Sequence, residues 1–108
     1  MRRGDLVTIA LQGDFGKPRP ALVIQANPFN EHTSVTVLPV TSTLVTGAPV
    51  LRINVWPSEA NGLNKPSQIM IDKTMTVMRD KVGPVFGHLD PDAMIEVDRL
   101  LAVFLGIA

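Results

Sequence analysis

The sequence contains no cysteine. That removes disulfides, zinc–thiolate sites, iron–sulfur clusters and thiol nucleophiles from consideration, and it fits a reducing compartment. No apolar run is long enough to cross a bilayer. Met1-Arg2-Arg3-Gly4-Asp5 passes directly into a strand-like pattern without the apolar segment of a signal peptide, so the expected place is the cytoplasm, with no membrane partner. A surplus of charge is missing too: 10 basic residues balance 10 acidic ones. Global charge therefore gives no argument for nucleic-acid binding, and any such site must be a local patch. What is present is a chain of 108 residues, 45% hydrophobic and 19% charged, with Val, Leu and Ile spread along its whole length. The balance predicts one globular domain over residues 1–108.

Asp5 to Leu11 reads as a first strand, since Leu6, Thr8 and Ala10 alternate with Val7, Ile9 and Leu11 in a β-branched-rich run. Gly13 to Pro20 holds two glycines, two prolines and three charges, a composition that interrupts pairing and marks a candidate site loop. Ala21 to Gln25 is a nearly continuous apolar run, too short for a helix, and predicts a central strand. Ser34 to Val40 alternates and predicts its hairpin neighbour, with Pro39 placing a bulge or an edge near its end. Pro49 to Val55 reads as another strand, and Pro57 to Gly62 as one helical turn stopped by Asn61-Gly62. Ser67 to Val77 suggests two short strands, or one strand bent at Asp72-Lys73. A loop is expected through Gly83-Pro84. The clear helix comes last, over about 91–105: Asp90 suits the N-cap and Pro91 the first helical position. Met94, Val97, Leu100, Leu101, Phe104 and Leu105 then recur at helical spacing. The expected fold is α+β and mainly β, a small SH3-like curled sheet or barrel of five to six short strands with this helix packed on it.

Four segments, in order, resemble one known family. Arg3-Gly4-Asp5-Leu6-Val7, Lys17-Pro18-Arg19-Pro20-Ala21-Leu22-Val23-Ile24-Gln25, Leu38-Pro39-Val40-Thr41-Ser42, and the stretch from Ser67 to Val77 are similar to the MazF/PemK (Kid) toxins. Gly87-His88-Leu89-Asp90 then leads into a terminal helix as it does there. The first loop, Leu11 to Lys17, is shorter than is usual in the family and differently composed. The resemblance implies a dimeric, metal-independent endoribonuclease toxin of a type II toxin–antitoxin system. It would cut single-stranded mRNA in sequence-specific fashion, without a cofactor, and be neutralised by a cognate antitoxin. CcdB-type gyrase poisons share the fold, and Gly106-Ile107 is similar to the Gly-Ile of their gyrase-contacting end, although the tryptophan is missing; this is the alternative. An interaction module without activity is a third reading.

RNA transesterification requires a 2′-hydroxyl to lose a proton and attack the adjacent phosphorus while charge builds on the phosphoryl oxygens. Fixed donors meet that need. Arg19, between two prolines, carries a planar fork able to hold two phosphoryl oxygens, and transition-state stabilisation suits a guanidinium better than a general-base role, since it has no lone pair free to take a proton. The resemblance makes Thr41 the second catalytic candidate, although Thr-Ser-Thr after a strand also reads as a turn satisfying its own backbone. Asp72 has two readings, one as the acidic residue that orients the arginine or moves a proton, the other as a turn cap. Lys17, Ser42, Lys73 and Phe15 are the RNA-binding candidates, with Lys65, Arg79, Lys81 and Trp56 behind them. His32 and His88 invite a two-histidine scheme, but they lie in separate loops and match no catalytic position of the family.

Overall fold

The computed structural model describes residues 1–10, 17–47 and 51–108. Among these residues, seven strands and one long helix form in the order β1 (Asp5–Ala10), β2 (Pro18–Val23), β3 (Ser34–Thr41), β4 (Arg52–Val55), β5 (Ser67–Met70), β6 (Met75–Met78), β7 (Val82–His88) and α1 (Pro91–Leu105). The sheet is antiparallel throughout, in the order β4-β5-β3-β2-β1-β7, with β6 also paired to β3.

The mainly-β expectation with a terminal helix is met, with one strand more than the upper count. The extra strand is β7, where Gly83-Pro84 had read as a loop. β7 ends the sheet order, so the missing N–H of Pro84 leaves no inner ladder broken. Its register against β1 slips between Val7↔Val85 and Ile9↔Val82, and a Cβ at Gly83 would lie 2.2 Å from Thr8 Oγ1. Glycine therefore sits in an irregularity that brings the strand against Thr8. β2 begins at Pro18, three residues before the expected start. Pro39 makes neither a bulge nor a sheet edge. It pairs with Ala21 on one side, and on the other it falls between Ser34–Val37, which pair with β6, and Val40–Thr41, which pair with β5. A residue with no N–H occupies the seam where β3 exchanges one neighbour for another.

Ser67 to Val77 resolves into two strands joined by a single 3-10 turn over Ile71–Lys73, as the bend at Asp72-Lys73 had suggested. Residues 58–62 make the expected helical turn: Gly62 N–H donates to Ser58 O, and Gly62 adopts φ +66°. Of the strand read over Pro49 to Val55, Arg52–Val55 is observed, whereas Pro49 and Val50, like Leu11, lie outside the described residues.

Strand alternation divides the core in two. Leu6, Leu22, Leu38, Ile69 and Ile71 meet Val97 and Leu101 of α1, whereas Val7, Ile9, Ala21, Val23, Val35, Val37 and Val77 pack on the opposite face. Both faces of β1, β2 and β3 are thus buried, which explains their near-continuous apolar runs. The helix is closed at both ends. Asp90 accepts the Ala93 N–H at 3.0 Å with Pro91 behind it, while Gly106 at φ +75° lets its own N–H and that of Ile107 reach back to Val103 O and Ala102 O. Its apolar stripe is buried at Val97 and Leu101, but Phe104 and Leu105 in the last turn are exposed.

Candidate active site

β2 and β3 run side by side at Val23↔Val37, Leu22↔Leu38 and Ala21↔Pro39, and then part. Continued by two residues, that register would set Arg19 against Thr41. Instead β3 turns to β5, where Thr41 pairs with Gln68, and β2 keeps β1, where Arg19 pairs with Ile9. The parting has a covalent reason. Pro18 and Pro20 stand two residues apart, so the donors they lack belong to one edge of β2, and a ladder with β3 could not be completed there. The alternation that places Ala21, Val23, Val35 and Val37 in one core cluster carries Arg19 and Thr41 to that same face, just beyond its end.

The opening is a groove of about 690 Å³, within the size range of ligand sites. Arg19, Thr41, Ser42 and Thr43 line it together with Gly62, Asn64 and Lys65, and Ile9, Val40, Met70 and Phe86 supply apolar surface. Among the described residues, Arg19 and Lys65 are its charged lining groups and no carboxylate joins them. A chain of zero formal net charge therefore carries a locally positive groove, as an anionic ligand needs. The stretch bearing Asn64 and Lys65 follows the turn at residues 58–62, which docks on β7: His88 N–H donates to Ala60 O, and a Cβ at Gly62 would lie 2.5 Å from Phe86 O.

Thr41 is half-buried, and its Oγ1 accepts the Thr43 N–H at 3.0 Å. The turn read from Thr-Ser-Thr is therefore real, and it complements the chemical reading: with a lone pair occupied, the hydroxyl proton remains to be donated. Arg19 is exposed.

Four expected residues, Arg19, Thr41, Ser42 and Lys65, thus line one groove. Lys17 is exposed immediately before β2 and does not line the groove. Asp72 and Lys73 occupy the 3-10 turn after β5, which packs on α1; they form an ion pair of 3.9 Å and do not line the groove either. Phe15 lies outside the described residues. Trp56 is 68% exposed, which settles it as a surface residue. The histidines stay apart: His88 Nδ1 is 2.9 Å from Asp5 Oδ1, while His32 stacks on Phe29. Sequence reasoning missed Thr8, Asn64 and Phe86 as lining residues. It also missed Gln68, buried under the segment that follows Thr41; only its register opposite Thr41, invisible in a linear sequence, singles it out.

Residues 2–105 match the profile of the PemK-like, MazF-like toxins of type II toxin–antitoxin systems. The chain belongs to this family. A probable endoribonuclease MazF of Mycolicibacterium smegmatis is 50% identical to this MazF-like chain over 109 residues, covering 100% of the chain and 99% of the relative. Endoribonuclease MazF3 of Mycobacterium tuberculosis is 36% identical over 77 residues, 68% of each protein. Among solved structures, the Mycobacterium tuberculosis toxin MazF-mt6 superimposes with a TM-score of 0.81 at 25% identity, over 96% of this chain and 98% of that one. A mycobacterial endoribonuclease solved with its cognate antitoxin gives 0.82 at 22% identity, over 100% and 97%, a likeness that speaks to the MazF-like fold alone.

Proposed function

We propose that this MazF-like chain is a sequence-specific endoribonuclease toxin that cuts single-stranded mRNA in the groove between Arg19 and Thr41. The observation that carries the reading is the parting of β2 and β3, which leaves a guanidinium and a hydroxyl lining one groove that, among the described residues, has no carboxylate. The curated relatives named above are endoribonucleases, one of them matched along the whole chain.

In the reaction, the 2′-hydroxyl loses its proton and its oxygen attacks the neighbouring phosphorus. The bond from phosphorus to the 5′-oxygen breaks, and that oxygen takes up a proton. The products are a 2′,3′-cyclic phosphate and a 5′-hydroxyl end. Arg19 holds two phosphoryl oxygens through its fork, Thr41 donates its hydroxyl proton to the same group, and Ser42 and Lys65 bind flanking backbone. Guanidinium and hydroxyl stabilise the developing charge without a metal ion. Asp72 and Lys73, outside the lining, take no part in bond breaking in this reading, and Lys17, exposed just before β2, binds RNA beyond the groove, with Phe15 kept as a base-stacking candidate from the sequence alone.

The protein works in the cytoplasm, where its substrate is, and a cognate antitoxin neutralises it. Solved relatives are complexes of this kind, and a flexible acidic segment suits a groove lined by Arg19 and Lys65. The working unit is a homodimer: Ile95, Val103, Leu105 and Ile107 leave apolar surface exposed along α1 and just beyond it. The gyrase-binding alternative leaned on Gly106-Ile107, which stands here as the stop signal of α1. The test is incubation of the purified chain with long single-stranded RNA in chelator, followed by mapping of cut sites and end groups. Cyclic phosphate and 5′-hydroxyl ends at a recurring sequence support the reading, and intact RNA contradicts it.

A further inference from the structure

The side chain of Gln68 divides its whole hydrogen-bonding capacity between Val45, in the segment that leads away from Thr41, and two side chains of β4. Its Oε1 accepts the Val45 N–H at 3.1 Å and Arg52 Nη1 at 3.0 Å. Its Nε2 donates to Val45 O at 3.1 Å and to Asn54 Oδ1 at 2.9 Å. Two of these bonds join both backbone groups of one residue, so the carboxamide acts on Val45 as a strand residue would, where no strand is present. Gln68 is 6% exposed, and a buried amide satisfied at every position fixes geometry because any displacement leaves a polar group unpaired. Arg52 reinforces the clamp: the Nη1 that reaches Gln68 also lies 3.4 Å from Thr43 O. Thr43, in turn, supplies the N–H accepted by Thr41 Oγ1. Gln68 and Thr41 are register partners across β3 and β5. The chain of contacts therefore begins beneath Thr41 and returns to its hydroxyl.

We infer that Gln68, braced by Arg52, is a positioning residue that holds the segment from Ser42 to Val45 and so aims the Thr41 hydroxyl at the scissile phosphate. The inference rests on the proposed placement of Thr41 in the reaction. Gln68 lies outside the groove lining and touches no substrate; its effect passes through the turn at Thr43. Such a residue governs the chemical step more than substrate binding, because a misdirected donor is felt where charge develops.

The experiment is a double-mutant cycle on the full chain, with kcat and KM measured on a fluorogenic single-stranded RNA well below the melting temperature of every variant. Thr41→Ala, Gln68→Ala and the pair are compared, with Gln68→Glu alongside, since glutamate keeps the shape but loses the donations to Val45 O and Asn54 Oδ1. Gln68→Ala should lower kcat by roughly tenfold or more while KM changes little, and Gln68→Glu should move in the same direction. In the Thr41→Ala background, Gln68→Ala should cost little further, since two groups acting as a unit are not additive. If Gln68→Ala does not fold, Arg52→Ala, which removes the brace from a half-buried position, takes its place in the cycle. Equal losses in both backgrounds, or a loss confined to KM, would overturn the inference and leave the role of Thr41 standing. Undiminished cleavage by Thr41→Ala would instead overturn the reading of the groove itself.

Discussion

Arg19 and Thr41 occupy the first positions of one face at which β2 and β3, paired up to Ala21 and Pro39, are no longer joined. Neither side chain is needed to complete the sheet beside it. The chemistry proposed for these two residues is therefore open to test apart from the pairing of the sheet.

For Thr41 the separation is testable by two near-isosteres. Thr41→Ser keeps the acceptor for Thr43 N–H and the donor proton, and should retain most activity. Thr41→Val removes both at similar volume, and should cost about 1 kcal/mol of stability and on the order of tenfold or more in kcat. Urea melts and steady-state cleavage of a fluorogenic RNA read the two effects.

Lys65 is assigned to the RNA backbone and should act through charge alone. Binding of uncleavable RNA should weaken with salt, and Lys65→Ala should make the plot of log Kd against log salt shallower by about 0.7, the contribution of one phosphate contact on a single strand. Fluorescence anisotropy over a salt series measures it. An unchanged slope removes Lys65 from the interface.

The end of α1 offers a change that should touch stability only. A Cβ at Gly106 meets nothing within 4 Å, so Gly106→Ala is penalised solely by the φ of +75°, at about 1 kcal/mol. Cleavage below the melting transition should be unchanged, and Gly106→Asn should recover part of the loss. Circular dichroism with a cleavage assay decides this, and also shows whether Gly106-Ile107 has any task beyond stopping the helix.

Leu101 tests the helix-side core. It is 7% exposed among Leu6, Leu38 and Ile71, and Leu101→Ala should cost about 2–4 kcal/mol. Denaturant unfolding should show a lower midpoint with unchanged slope.

Most of the fold was legible because its signals are local. Asp90-Pro91 opens the helix by capping chemistry that acts within one turn, while its stop at Gly106 came from the structure, and the apolar runs of β1, β2 and β3 reflect burial on both faces. β7 was not legible, because Gly83 and Pro84 are strand breakers tolerated only at an irregular edge beside Thr8. In the candidate site, Pro18 and Pro20 announced interrupted pairing and marked Arg19 between them, whereas Thr41 stood out only through the family resemblance, with Ser42 beside it after the third strand. Asn64, Phe86 and Gln68 could not, since each enters through a partner far away in sequence: the groove, Gly62, or Thr41.

The central claim is that Arg19 breaks RNA and does not build the protein. The measurement is thermal melting beside cleavage of single-stranded RNA in chelator for wild type, Arg19→Ala and Arg19→Lys. Arg19 is exposed, so the alanine variant should melt within about half a kcal/mol of wild type. Its cleavage should fall by on the order of a hundredfold or more, and lysine should restore little, because a point charge cannot reproduce the fork. Full activity in Arg19→Ala, or a collapsed melting point, would contradict the account.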